Sequence, residues 1–384
     1  MFQRWLAKPE GSFLLIGPRR SGKTTFLRET WPEVAYCTLD DFDYLDVARR
    51  DPKALFPAPG RTLIIDEIQR VPELTIAVKY ALDNLGYRVM LTGSSRIGLL
   101  DSAADTLAGR ISIRHCPTAC WGEDHGAPTH AIFEQQADPL QLRAAARELE
   151  EVLLHGSFPE VLTTPPEQRT ELLRRYRDTY FTRDLAQLSA LDNLDGLRAM
   201  LQHFGRSLGS RLAVSNFARE AALSHPTAKK YLGVLFQSDL AFRLLGYQYG
   251  PAKRYLRAMK CYFADVGMIT ALRLQLSAGQ ILEQFVLSEL EKRRKLGFYD
   301  CEQLYYYSST SGAEIDLILE EPEVTRAVEI KTTTAPSRAD TRQLEAFVAQ
   351  DPHKRKAYVF YPGLDYRELG NVICLPVACL YRGR

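Results

Sequence analysis

The run Gly17-Pro18-Arg19-Arg20-Ser21-Gly22-Lys23-Thr24-Thr25 constrains this chain more than any other feature. Gly17 to Thr24 fits the phosphate-loop pattern G-x-x-x-x-G-K-[ST], directly after an apolar stretch and directly before a helical one. Such a loop needs a buried strand on one side and a helix on the other. Its glycines let backbone N–H groups turn inward around a phosphate, and the helix N-terminus adds positive potential there. Lys23 is then expected to reach the β- and γ-phosphates and Thr24 to ligate Mg²⁺, which makes ATP with Mg²⁺ the expected ligand. The surrounding fold should be α/β with a parallel sheet. Over the first 120 residues short apolar runs do alternate with amphipathic ones, the pattern of βαβ units. Strands are expected at Ser12 to Gly17, Val34 to Leu39, Thr62 to Asp66, Tyr87 to Leu91 and Ile111 to His115, with helices at Thr24 to Thr30 and Leu74 to Asn84.

The strand at Thr62 is nearly all apolar, as suits burial on both faces, and ends in Asp66-Glu67. About forty residues after a phosphate loop, Asp66 is expected to hold Mg²⁺ through water and Glu67 to polarise the attacking water. Leu91-Thr92-Gly93-Ser94-Ser95 closes another buried strand with hydroxyls that could contact the γ-phosphate or that water. Leu107-Ala108-Gly109-Arg110 brings an arginine to the start of the next strand, either as a finger on a neighbouring subunit's nucleotide or as a solvated surface residue.

Length alone, 384 residues at roughly 150 per domain, calls for about two and a half domains. Periodicity turns helical between Leu140 and about Leu208 after a mixed stretch, which sets a boundary near residue 125. Two short helical patterns follow, Val214 to Ala222 and Pro226 to Ser238, with Ser224 as a cap and Pro226 in the first turn; strand-like runs come next at Leu240 to Leu245 and Tyr255 to Phe263. This is the order of a winged helix-turn-helix. Arg219, Lys229 and Lys230 would then lie where basic side chains could meet DNA phosphates. Lys plus Arg at 49 against Asp plus Glu at 47 leaves a net charge of +2, so any nucleic-acid contact must be a local patch. No apolar run nears the roughly 20 residues of a membrane span and Met1 to Glu10 has no hydrophobic signal region, so a soluble cytoplasmic protein is expected, without a membrane partner. The seven cysteines are spread and none forms a C-x-x-C pair. Cys116, Cys120, His125 and His130 leave only four residues between the two pairs, too few for the usual zinc modules.

After a helix at Leu282 to Lys295 the tail becomes strand-rich, with runs at Gln303 to Tyr307, Glu314 to Leu319, Arg326 to Ile330 and Lys356 to Tyr361. Glu314-Ile315-Asp316 begins one strand and Glu329-Ile330-Lys331 ends the next, with Pro322 between them. Period-two geometry puts Glu314 with Asp316 on one face and Glu329 with Lys331 on one face. If the strands pair, Asp316 and Glu329 can share a second divalent ion, Mg²⁺ or Mn²⁺, while Lys331 orients a water and Glu283 assists from the preceding helix. That arrangement suits metal-assisted phosphodiester cleavage. Glu291 to Lys295 reads as a solvated helix end favoured by the helix dipole.

Taken together, Gly17 to Thr25, Asp66-Glu67-Ile68-Gln69-Arg70-Val71-Pro72-Glu73, Leu91 to Ser95 and Leu107 to Arg110 resemble the bacterial and archaeal AAA+-superfamily ATPases that carry a C-terminal nuclease-like domain of uncharacterised function. The similarity continues through Gly156-Ser157-Phe158-Pro159-Glu160, Tyr180 to Asp184, Tyr262-Phe263-Ala264-Asp265-Val266-Gly267 and the set Glu283, Asp316, Glu329, Lys331. The resemblance implies an ATPase core (1–125) with an extra strand between the phosphate-loop strand and the Asp-Glu strand, a helical region (126–210), a winged helix (211–265) and a restriction-endonuclease-like domain (266–384). It implies Glu67 as hydrolytic base, Thr92 or Ser94 as sensor and Arg110 as a finger, hence a homo-oligomer. The leading expectation is an ATP-hydrolysing switch or motor acting on DNA, with a metal-dependent nuclease fold at its end. The alternatives are an ATP-gated regulatory or defence switch whose nuclease-like domain binds DNA or protein without cutting, and a protein remodeller.

Overall fold

The computed structural model describes residues 2–94, 106–179, 194–247, 259–309 and 312–384. Ser95, the Tyr180 to Asp184 motif and the first four residues of the run expected at Tyr255 lie outside them. The first unit is built from β1 (Phe13–Ile16), α1 (Lys23–Thr30), β2 (Ala35–Thr38), α2 (Phe42–Arg50), β3 (Thr62–Asp66), α3 (Leu74–Leu85), β4 (Arg88–Gly93) and β5 (Ser112–His115). Its sheet runs β2-β3-β4-β1-β5 with every pairing parallel, so β4 lies between the phosphate-loop strand and the Asp-Glu strand. The apolar runs explain this layering: all four residues of β1 are buried, Leu14 and Ile16 in one core and Phe13 and Leu15 in the other. Parallel strands put the ends of β1, β3 and β4 along one rim, where loops can meet a ligand.

Then come α4 (Pro139–His155), α5 (Pro159–Leu162), α6 (Pro166–Tyr176) and α7 (Leu194–Arg206). The expected helical stretch is thus broken at Gly156-Ser157-Phe158. Gly156 has φ 67, and a Cβ there would collide with Asp265 Oδ1 and the backbone N of Gly267. Strand β6 (Arg211–Leu212) leads to α8 (Val214–Glu220) and α9 (His225–Gln237), the latter capped by Ser224, whose side chain accepts from Thr227 N. The hairpin β7 (Ala241–Gly246) and β8 (Met259–Phe263) follows, then α10 (Gly267–Ala271) and α11 (Ala278–Lys295), which opens with a Ser277–Gln280 capping box.

The remaining elements are β9 (Leu304–Ser308), β10 (Glu314–Glu320), β11 (Thr325–Ile330), α12 (Arg338–Val348), β12 (Arg355–Tyr361), β13 (Arg367–Leu369) and β14 (Val372–Pro376). They form one nine-stranded sheet with the hairpin, in the order β13-β14-β12-β11-β10-β9-β7-β8-β6. The sheet crosses from the hairpin to the tail where β7 pairs in parallel with β9. Helices α2 and α12 and strands β13 and β14 are among the elements that patterning did not show. β13 (Arg-Glu-Leu) is three residues long, too short to establish a period, and β14 (Val-Ile-Cys-Leu-Pro) is a short apolar run without alternation.

One expectation is overturned here. Glu291, Lys292 and Arg293 are buried, and the Lys295 side chain is only 8% exposed, so the charged end of α11 is not a solvated face. It enters the junction with the first unit, where each charge meets a fixed partner. Arg293 donates to the carbonyls of Leu380 and Gly383 and to Glu289, and Lys295 pairs with Asp239 at 2.8 Å.

Candidate functional site

The phosphate loop caps β1. Gly22 (φ 88) and Arg20 (φ 61) take the left-handed conformation that lets the chain reverse into α1, and Gly17 abuts the Cys116 carbonyl, so closely that no side chain fits there. Lys23 is buried and its Nζ donates to the carbonyls of Gly17 and Pro18, each at 2.9 Å. Burial lowers its pKa, against the opposing pull of Glu67, Cys116 and Asp66. Ser21 is wholly buried and its Oγ has no partner among the described residues. Thr25 lines a cleft of about 470 Å³ beside the loop, walled also by Phe2, Leu6, Phe26 and Pro159.

Across from the loop, the ends of β3 and β4 supply the carboxylates and hydroxyls. Thr24 Oγ1 donates to Asp66 Oδ2 at 2.7 Å, and Tyr36 OH donates to the same oxygen at 2.7 Å. Thr92 Oγ1 donates to Asp66 Oδ1 and accepts from Glu67 N at 3.2 Å. Ser94 Oγ donates to Glu67 Oε2 at 3.1 Å. Glu67 itself sits at φ 59, a strained conformation for a non-glycine residue, which swings its carboxylate out of the strand direction. The structure therefore brings Lys23, Thr24, Asp66, Glu67, Thr92 and Ser94 into one cluster. Thr24 and Asp66 offer the hard oxygen donors that Mg²⁺ takes, and the loop's backbone with Lys23 suits a nucleotide's phosphates.

Arg110 stands apart from this cluster. It forks onto Asp83 of α3 at 2.7 and 2.9 Å, and about a third of each side chain is exposed. Tyr36 and Arg4 carried no signal in the sequence. Tyr36 is one aromatic in a strand, and burial together with its bond to Asp66 pushes its hydroxyl pKa up. Arg4 comes from the segment before β1, donates to Ser21 O in the loop and to Pro117 O, and pairs with the buried Glu123 at 2.7 Å. Arg20 at the loop's apex pairs with Glu160 at 2.5 Å, and Tyr176 OH donates to Arg19 O at 2.9 Å. The Gly156 to Glu160 motif thus reaches the loop with one end. With the other it meets the Tyr262 to Gly267 motif: Asp265 accepts from Ser157, from Thr118 Oγ1 at 2.8 Å and from Lys292 Nζ at 3.0 Å.

A second cluster lies on the nine-stranded sheet. The antiparallel register Leu317↔Val328 sets Asp316 beside Glu329, and β10 is irregular against β9 between Ile315 and Ile318, where Asp316 sits. A bulge of this sort re-aims a side chain. Asp316 Oδ2 accepts from Ile330 N at 2.9 Å, and Lys331 Nζ pairs with Glu329 Oε2 at 3.2 Å. Burial and then the Asp316 charge push Glu329 up to about 8, although Lys331 pulls the other way. Glu283 on α11 accepts from Tyr262 OH at 2.6 Å, and burial and the same aspartate raise its pKa as well. Lys260 on β8, also without a sequence signal, pairs with Glu314. Glu283, Asp316, Glu329 and Lys331 are thus brought together from three elements. Among the described residues no group of three His, Cys, Asp or Glu side chains converges as a metal cage.

Residues 10–123 match the family model of an AAA domain, 146–280 match a domain of unknown function (DUF8612) and 278–380 another (DUF4143). Uncharacterized proteins of Mycobacterium bovis and Mycobacterium tuberculosis are each 28% identical over 366 residues, covering 91% of this chain and 76% of theirs. Among solved structures, a STAND signal-transduction ATPase with a tetratricopeptide repeat sensor from Pyrococcus horikoshii is 11% identical, with a TM-score of 0.20 over 77% of this chain and 46% of that one. The chain thus spans under half the length of that protein. A SWI2/SNF2 ATPase core from Sulfolobus solfataricus, in complex with dsDNA, is also 11% identical with a TM-score of 0.20, over 91% and 71% of the two chains. Likeness at that level bears on neither fold nor function. Among the described residues no helix is long and apolar enough to cross a membrane. Residues 10–123, which match an AAA domain, also hold the phosphate loop and the all-parallel sheet, and this part of the chain is an AAA-type P-loop ATPase domain.

Proposed function

We propose that this chain is an ATP-hydrolysing switch or motor that acts on DNA and carries a metal-dependent nuclease-type site at its end. The observation that carries the ATPase half is the cluster at the rim of the parallel sheet, with Thr24 and Asp66 sharing a hydrogen bond at 2.7 Å and Glu67 beside them. In this reading Lys23 balances the phosphate charge, Glu67 takes a proton from the attacking water, and Thr92 and Ser94 sense the γ-phosphate. Mg²⁺, held by Thr24 and Asp66, would neutralise charge on the phosphate oxygens.

The DNA half rests on two features. Helices α8 and α9 with the β7–β8 hairpin and β6 have the make-up of a winged helix, and Lys229 and Lys230 are exposed on its second helix. The paired carboxylates of β10 and β11, with Lys331 on the same strand end, suit a divalent ion and an oriented water. We further propose that Arg110 acts across a subunit boundary in a homo-oligomer, leaving Asp83 to do so. A second reading, in which the terminal domain binds DNA or protein without cutting, is favoured by Lys331, which pairs with Glu329 at 3.2 Å and so gives that carboxylate a partner that is not a metal.

Two assays separate these readings. ATP turnover measured with branched, linear and single-stranded DNA should rise with at least one of them; turnover indifferent to all three and stimulated by polypeptide would point to a protein remodeller. Incubated with ATP and Mg²⁺ or Mn²⁺, the protein should cut DNA, and Lys331→Ala should abolish cutting while leaving metal binding largely intact. A wild-type protein that cuts none of these DNAs would leave the binding role.

A further inference from the structure

The carboxylate of Glu67 is held by a residue to which nothing above gives a role. Gln69 lies in the 3₁₀ turn Ile68–Arg70, which closes when Arg70 N donates to Glu67 O at 3.0 Å and so folds the Gln69 side chain back over β3. Its Nε2 donates to Glu67 Oε2 and, at 3.0 Å, to Ser94 Oγ at the end of β4. Ser94 Oγ donates in turn to the same Glu67 oxygen at 3.1 Å. Ionised, a carboxylate only accepts hydrogen bonds, so the amide must present its NH₂ side here. The opposite end of the amide, Oε1, is buried without a partner, and such an orphaned acceptor persists only where the contacts on the other side outweigh it. Both donors fall on Oε2, and among the described residues Glu67 Oε1 takes no hydrogen bond.

We infer that Gln69 is a positioning residue for ATP hydrolysis: directly and through Ser94 it fixes Glu67 Oε2, so that Oε1 is the oxygen turned to the attacking water. This rests on Glu67 as the base. A glutamate at the rim of an open site can otherwise rotate about its terminal bond, and a base out of line loses the advantage of pre-set geometry, on the order of 10- to 100-fold in rate for a displacement of about 1 Å. The effect belongs to turnover and not to nucleotide binding, because the Gln69 side chain hydrogen-bonds to Glu67 and Ser94 and, among the described residues, not to the phosphate loop.

The test is Gln69→Met, which keeps length and removes the donors. We expect kcat to fall about 10- to 100-fold, with KM for ATP and the affinity for a fluorescent ATP analogue, titrated into the full-length protein, unchanged. Placed in a Glu67→Gln background, the same change should lower kcat no further, since Gln69 acts only through Glu67; a merely structural role would add its loss to that of Glu67→Gln. Gln69→Leu, a second apolar replacement without the amide donors, carries the test if Gln69→Met fails to fold: it should lower kcat and leave analogue binding intact. A wild-type or raised kcat in Gln69→Met, weakened analogue binding, or a further loss in the double variant overturns the inference. If Glu67→Gln is slow while Gln69→Met is normal, this inference alone falls; if Glu67→Gln turns over normally, the reading beneath it falls too.

Discussion

Glu329 shows how strongly one position can depart from ordinary solution chemistry. It is buried on β11 next to Asp316, and the two together push its carboxyl up to about 8. A folded-state pKa above the unfolded value means that the folded protein holds this proton more tightly. The stabilisation is therefore complete below the unfolded value of roughly 4.3 and is lost as pH rises towards 8. In EDTA, the melting temperature should fall between pH 5 and pH 8, and the fall should be smaller in Glu329→Gln; equal slopes would contradict the assignment. Glu289 has the opposite sign: burial alone would raise its pKa, but Lys292 and Arg293 outweigh that and hold it low. Its contribution is present above the unfolded value and is lost as pH falls through the folded one. At this scale the sequence was legible where a residue belongs to a local run. Lys23, Thr24, Asp66 and Glu67 announce themselves because their spacing along the chain is the chemistry. Tyr36, Arg4 and Lys260 do not, since each meets its partner only after strands or segments 30 or more residues apart have been brought together.

At the scale of elements, α11 carries a run of buried charge, Glu289, Glu291, Lys292 and Arg293. Its outer turns carry Glu289, Lys292 and Arg293, which meet Asp265, the Trp121 amide and the carbonyls of Ala119 and Leu380, while Glu283 near its start faces the carboxylate cluster. The run Glu291 to Lys295 has the letters of a solvated helix end; composition could not show that the partners lie elsewhere in the chain. Removing one member of such a network leaves a buried charge unbalanced. Glu289→Gln should lower unfolding free energy by about 3–5 kcal/mol in urea titrations at pH 7, and a loss no larger than that of an exposed substitution would show the network to be incidental. Gly156→Ala should likewise destabilise, since its Cβ has no room beside Asp265 and φ is positive. For the α8–α9 pair, Lys229→Glu with Lys230→Glu should weaken DNA binding and flatten its salt dependence, because each lost phosphate contact removes roughly one unit of counterion release. An unchanged salt slope would make this element a scaffold.

The whole molecule joins two sheets through a buried junction. The Gly156 to Glu160 segment touches the phosphate loop through Glu160 and the α11 network through Ser157. The α/β class and the parallel pairing of the first sheet followed from the alternation of apolar runs, whereas the place of β4 between β1 and β3 was implied by the family resemblance alone. The nine-stranded sheet did not, because the β7–β9 pairing that extends it is not local and leaves no mark in either strand. Assembly has its own test. If Arg110 acts in trans, mixing Arg110→Ala with Lys23→Ala protein should restore part of the ATP turnover, as mixed interfaces pair an intact loop with an intact arginine; no rescue in proven mixed oligomers would place Arg110 with Asp83 alone. The central claim, that the rim cluster hydrolyses ATP with Glu67 as base, is tested most directly by measuring nucleotide binding and turnover side by side in two variants. Lys23→Ala should lose binding, whereas Glu67→Gln should bind ATP normally and turn over about 100-fold or more slowly. Wild-type turnover in Glu67→Gln would contradict it.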